Sequence, residues 1–186
     1  MEQARLVRVS KRLSRHLRHD PAAIGLALQP GGWVEVGLLL AALARHGLPL
    51  TRDELAEVVA HNDKQRFAFS EDGTRIRANQ GHSVPVDLRL PLAQPPEILY
   101  HGTVAKVLPA IREAGLLPMN RHDVHLSADR ETAIRVGSRR GRPVVLVVPA
   151  GEMARAGHEF RVSANGVWLT SHVPPGYLRG AGMDPR

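Results

Sequence analysis

Four prolines, Pro85, Pro91, Pro95 and Pro96, fall within residues 80 to 97 and constrain the fold of this chain more than any other feature. Each removes a backbone donor and fixes one dihedral, so the stretch disfavours regular structure. It predicts a boundary between two lobes, one over residues 1–90 and one over residues 97–180 of the 186-residue chain. Hydrophobic residues make up 43% of the sequence, ample for a buried core.

Ahead of the boundary the pattern is helical. Leu6, Val9, Leu13 and Leu17 recur at helical spacing, and Asp20-Pro21 ends the run. After Gly31-Gly32 a second helix is expected over Val36 to Arg45, with Gly47 as a left-handed stop. Thr51 and Glu54 form a capping box that opens a third, with Leu55, Val58 and Val59 on its inner face. Phe67 and Phe69 then alternate with polar residues, Glu71-Asp72-Gly73-Thr74 reads as a turn, and Arg75-Ile76-Arg77 returns as a strand. Three helices followed by a hairpin predict a winged helix.

Beyond the prolines the pattern is strand-dominated α+β. Strands are expected at Ile98 to His101, Val124 to Ser127, Pro143 to Pro149, Glu159 to Ser163 and Val167 to Thr170. The run Pro143 to Pro149 is almost wholly apolar and reads as a buried strand. Helices are expected at Val104 to Ala114, closed by Gly115, and from an Asp129 cap through about Val136.

Charge narrows the function. Lysine and arginine number 25 against 18 acidic residues, for a net charge of +7 and a pI near 10.9, which favours a polyanionic partner. Cysteine is absent, which excludes disulfides, thiolate nucleophiles and cysteine-ligated zinc. The longest apolar run, Val144 to Val148, is far too short to span a bilayer. A cytoplasmic monomer with no membrane association is expected.

The cations are clustered. Asn62-Asp63-Lys64-Gln65-Arg66-Phe67 places two cations and two amides between a helix and a strand, and Lys64 and Arg66 would share one side of an extended chain. Leu13-Ser14-Arg15-His16-Leu17-Arg18-His19-Asp20-Pro21 ends the first helix, where cations also complement the helix dipole. Gly137-Ser138-Arg139-Arg140-Gly141 is the third cluster. A guanidinium presents two parallel donors to a phosphate and stays protonated, so three such segments point to phosphate.

Two further motifs carry hydrogen-bonding groups. Tyr100-His101-Gly102-Thr103 ends a strand with a glycine that lets a ligand approach the backbone. His125 and Ser127 alternate with Val124 and Leu126, so both polar groups share one strand face. The histidines lack an HExxH spacing and a third ligand, so no metal is expected. No GxGxxG, Walker A or GxSxG element occurs.

Taken in order with Asn165-Gly166-Val167-Trp168-Leu169-Thr170, these motifs resemble the RNA 2′-phosphotransferase family of the KptA type, over roughly Val9 to Leu178. The resemblance implies an N-terminal winged-helix lobe that binds RNA and a C-terminal ADP-ribosyltransferase-like lobe that binds NAD as a consumed co-substrate. It implies a catalytic tetrad of Arg18, His19, Arg66 and Arg139, with Arg140 as the reserve for the last, and Lys64 as support for the substrate phosphate. His101, Gly102, Thr103, His125, Ser127 and Gly137 fall at the positions expected to hold NAD. Where protein-modifying relatives of the superfamily carry a glutamate this chain has Val167, in keeping with a nucleophile that is already anionic. The activity implied is NAD-dependent removal of an internal RNA 2′-phosphate. Two rivals differ in class: an ADP-ribosyltransferase acting on phosphate ends or another acceptor, and a winged-helix regulator whose second lobe only senses NAD.

Overall fold

Leu6, Val9, Leu13 and Leu17 line one face of a first helix, α1 (Gln3–Arg18), and all four are buried in the core of the first of two units. In the computed structural model, which describes residues 1–61, 65–180 and 183, these units are Met1–Arg89 and Leu90–Arg186. Each unit has its own hydrophobic cluster.

In the first unit, α2 (Val36–Arg45) runs into His46 and a left-handed Gly47 at φ 78°. In α3 (Arg52–Ala60), the Thr51 hydroxyl accepts from the Glu54 N–H while the Glu54 carboxylate accepts from the Thr51 N–H, so two orphan donors are satisfied at once. Leu39, Leu43, Leu55 and Val58 bring both helices onto α1. A three-stranded antiparallel sheet completes the unit, in the order β1 (Val34–Glu35), β3 (Arg75–Ala78), β2 (Phe67–Phe69). The expected hairpin is β2 and β3, paired through Ala68 and Arg77. Asp72 organises its turn: its carboxylate accepts from the Ser70 and Thr74 hydroxyls and the Thr74 N–H, which together draw its pKa down to about 2. The third strand, β1, has only two residues and too short a pattern to announce itself in the sequence.

The second unit is built on β4 (Leu99–Val104), paired antiparallel with β6 (Pro143–Val148) along all six residues of each. A second sheet orders β5 (Val124–Leu126), β8 (Trp168–Thr170) and β7 (Arg161–Val162), again antiparallel. One bridge joins the two sheets: Tyr100 and Ser127 exchange backbone hydrogen bonds of 2.9 and 2.8 Å. The helices are α4 (Leu108–Ala114), α5 (Arg130–Gly137) and α6 (Ala150–Arg155). Asp129 caps α5, its carboxylate accepting from the Thr132 N–H at 2.7 Å.

Three expectations need correction here. The strand through His101 does not stop at Gly102-Thr103. Pairing continues to Val104 opposite Pro143, and Val104 and the 3-10 turn Ala105–Val107 precede the helix. The run Pro143 to Pro149 is not buried throughout: Leu146 and Val148 are buried while Val144, Val145 and Val147 are only half-covered, because the core lies on one side of this two-stranded sheet. And α6 forms where no element was expected, since six residues span less than two turns and give no readable period.

Candidate active site

Arg18 closes α1 and His19 is its C-cap, its N–H donating to the Arg15 carbonyl at 2.9 Å. What holds this end in place comes from residues 79–84. The Ser83 N–H donates to the Arg18 carbonyl at 2.9 Å, and the Ser83 hydroxyl meets His19 Nδ1 at 2.9 Å. Gly81, at φ 87°, lets this strap pass alongside the Arg18 side chain. At its other end the strap holds Arg66: the Asn79 N–H donates to the Arg66 carbonyl at 2.9 Å, and the Asn79 side-chain amide donates to the Gln65 carbonyl at 2.5 Å. The Arg66 guanidinium itself turns back to α1, donating to the Ser10 hydroxyl at 3.4 Å. Arg18, His19 and Arg66 are thus fastened to one framework by the start of the segment expected to serve only as a boundary. Only hydrogen-bonding capacity at Asn79 and Ser83 hinted at it.

The extended run proposed for Lys64 to Arg66 is overturned at its middle residue. Gln65 has φ 41°, a left-handed conformation that rotates the chain, so period-two alternation does not carry through it. Lys64, with Asn62 and Asp63, lies outside the described residues.

In the second unit, α5 lies directly on β4. A Cβ on Gly102 would overlap the Ala133 carbonyl, and one on Gly137 would come within 2.9 Å of the Thr103 carbonyl. The glycine in the Tyr100-to-Thr103 motif therefore admits a helix of the same unit. Thr103 is buried in the strand. This close seating sets the 3-10 turn Ser138–Arg140 against β4, with Arg139 and Arg140 both exposed.

Neighbouring strands bring the two histidines together. His101 Nδ1 meets the His125 carbonyl at 3.1 Å, which requires Nδ1 to carry the hydrogen and leaves Nε2 as acceptor in the neutral ring. Burial above all, then the charges of Arg140 and Arg121, hold His101 below the ordinary imidazole range, against the opposing pull of that carbonyl. His125 has the opposite polarity. Arg121 donates from a terminal nitrogen to His125 Nδ1 at 3.0 Å, so the hydrogen of the neutral ring sits on Nε2. Ser127 bridges to Tyr100 beside them. Of the two candidate arginines, Arg140 acts on both His101 and Arg121, and Arg139 on Arg121.

Arg121 was not singled out in the sequence, where it is one cation in an ordinary loop. Its neighbours distinguish it. The family model described as RNA 2′-phosphotransferase, Tpt1/KptA family, matches residues 4–172, a span that takes in both units' candidate residues. This chain belongs to that family. A probable RNA 2′-phosphotransferase of Streptomyces coelicolor is 68% identical over 179 residues, covering 96% of this chain and 97% of the relative. One from Streptomyces griseus is 62% identical over 185 residues, with 96% and 98% covered. One from Trichormus variabilis is 58% identical over 178 residues, with the same coverage. The family's name supplies an RNA substrate carrying a 2′-phosphate. No helix among the described residues is long and apolar enough to cross a membrane.

Proposed function

We propose that this protein is an NAD-dependent RNA 2′-phosphotransferase, with residues 1–90 a winged-helix lobe that binds RNA and residues 97–180 an ADP-ribosyltransferase-like lobe that binds NAD. Family membership supports the reaction class. The observation that carries the residue assignment is the strap of residues 79–83, which secures Arg18 and His19 at one end and Arg66 at the other. Three side chains suited to one phosphate are thereby built on a common support.

In the first step an oxygen of the RNA 2′-phosphate attacks C1″ of the nicotinamide ribose, and the C–N bond breaks with its electron pair leaving on nicotinamide. The leaving group departs as a neutral ring, so the protein's task is alignment rather than proton transfer. A guanidinium presents paired donors to a phosphate, which is the role that the resemblance gives to Arg18, Arg66 and Arg139. In the second step the ribose 2″-hydroxyl attacks phosphorus and the RNA 2′-oxygen leaves, giving ADP-ribose 1″,2″-cyclic phosphate. Charge then grows on the phosphoryl oxygens, where fixed guanidinium groups stabilise it. His19 is the member of this set that can move a proton near neutral pH, from the attacking hydroxyl to the leaving oxygen. Of the residues that the resemblance assigns to NAD, His101, His125 and Ser127 are the ones left to meet it, while Gly102, Thr103 and Gly137 serve by seating α5 against β4. The two imidazoles suit a ribose and its neighbours, since His101 offers an acceptor and His125 a donor.

The test is incubation with NAD and an internally 2′-phosphorylated oligonucleotide, following all products by mass. Nicotinamide, 2′-hydroxyl RNA and ADP-ribose cyclic phosphate are expected together. Arg66→Ala and Arg139→Ala should each lower turnover by about a hundredfold or more while the far-UV spectrum is kept. Near wild-type turnover by both variants would remove the assignment. ADP-ribosylated RNA as the final product would place the chain with phosphate-modifying ADP-ribosyltransferases instead.

A further inference from the structure

The three-stranded sheet of the first unit has one face in the core and one outside it. Ile76 and Ala78 of β3 are buried, so period-two alternation turns Arg75 and Arg77 to the other face. The register with β1, Val34 opposite Ile76 and Glu35 opposite Arg75, continues so as to set Trp33 opposite Arg77. Both guanidinium carbons lie over the indole there, that of Arg77 at 4.5 Å from the ring centroid and that of Arg75 at 5.4 Å. All three side chains are half-buried, so each keeps part of its surface in water.

One arginine would be enough to cover a tryptophan at a sheet edge. Two, with charge to spare, make a surface suited to a ligand. Neither Arg75 nor Arg77 has a carboxylate within 4.0 Å among the described residues, although Glu35 stands across the sheet and Asp72 in the adjoining turn. Arg77 commits one long hydrogen bond, 3.4 Å to the Gly31 carbonyl, from a fork of several N–H groups. A guanidinium laid on a ring also leaves its opposite plane free, and nucleobases stack on aromatic rings and guanidinium planes alike. Position adds to this. Arg77 is two residues along the hairpin from Asn79, whose N–H holds the Arg66 carbonyl. Two residues of strand are about 7 Å, roughly the span of two stacked nucleotides at about 3.4 Å each.

We infer that Trp33, Arg75 and Arg77 form a stacking platform on the outer face of this sheet for a single-stranded stretch of RNA that flanks the phosphorylated nucleotide. A base extends the stack of ring and guanidinium, and the remaining N–H groups meet the phosphates on either side of it. Every base has a π-face, so the platform selects an unpaired strand and not a sequence. The choice of RNA as occupant rests on the proposed function; the platform itself rests on the sheet.

Fluorine-19 NMR of the full chain carrying 5-fluorotryptophan reads the site with no substitution in it. Its two tryptophans, Trp33 and Trp168, give two resonances, and Trp168→Phe tells them apart. An unmodified single-stranded oligonucleotide, added without NAD, should shift the Trp33 resonance saturably, and polyglutamate should not. Labelled-strand anisotropy should show binding weakened roughly tenfold in Trp33→Leu and in Arg77→Gln, while Trp33→Phe keeps most of it. A Trp33 resonance that the oligonucleotide leaves in place overturns the inference, as does one that polyglutamate moves equally, which would make the partner an acidic peptide. Kinetics supply the second reading: Trp33→Leu should raise KM for a long 2′-phosphorylated strand and leave kcat, and KM for a 2′-phosphorylated dinucleotide, as in the wild type. An equal rise for both substrates, or for neither, counts the platform out. A chain whose Trp33 responds to the oligonucleotide but that performs no NAD-dependent dephosphorylation removes the proposed reaction and leaves the platform standing.

Discussion

At the scale of single residues, the arrangement around His19 depends on a partner with no charge. Most positioned histidines lean on a carboxylate, which raises their basicity as well as orienting them. Here the group at Nδ1 is the Ser83 hydroxyl, which can donate or accept and therefore orients the ring without committing its charge. Ser83 is a positioning residue under the proposed mechanism. Ser83→Ala should lower kcat roughly fivefold, the rate equivalent of about 1 kcal/mol for one neutral hydrogen bond, with little change in KM. It should also displace the limb of the pH–rate profile that reports His19, and Ser83→Thr should restore both. An unaltered pH profile in Ser83→Ala would leave the hydroxyl with a structural role only. None of this was legible in the sequence, because a serine in a proline-rich connector carries no chemical signature until its distance to a histidine is known.

Among the elements, length decided what could be read in advance. Helices α1, α2 and α3 follow from apolar spacing, a left-handed glycine and a capping box, all local signals spanning nine residues or more. Strand β1 and helix α6, at two and six residues, exist because neighbours complete them. The same reason extends β4 past Gly102, where a local reading saw an end: six consecutive partners on β6 outweigh the weak strand preference of one glycine. The position of α5 on β4 was equally out of reach, being a contact between residues 31 apart in sequence, Gly102 and Ala133. Gly102→Ala tests it. The added methyl has no room against a backbone carbonyl, so α5 must shift, and a loss of about 1–3 kcal/mol or more is expected in urea denaturation. Stability equal to wild type would show that the helix is not seated as described.

For the molecule as a whole, the excess of 25 basic over 18 acidic residues becomes a statement about salt. An RNA ligand releases counterions wherever a guanidinium neutralises a phosphate, so the logarithm of affinity should fall linearly with the logarithm of salt concentration, by about 0.7 per contact for a single strand. Fluorescence anisotropy with a 2′-phosphorylated oligonucleotide from low to physiological salt should give such a line, and Arg66→Ala should flatten it by about one contact. A flat line for the wild type would mean that the charge excess has no part in holding RNA. The seating of α5 has a consequence of another kind, for heredity. Position 102 is locked by the Ala133 carbonyl of α5, so a lineage could exchange its chemistry altogether and still be unable to change that letter before it had moved the helix.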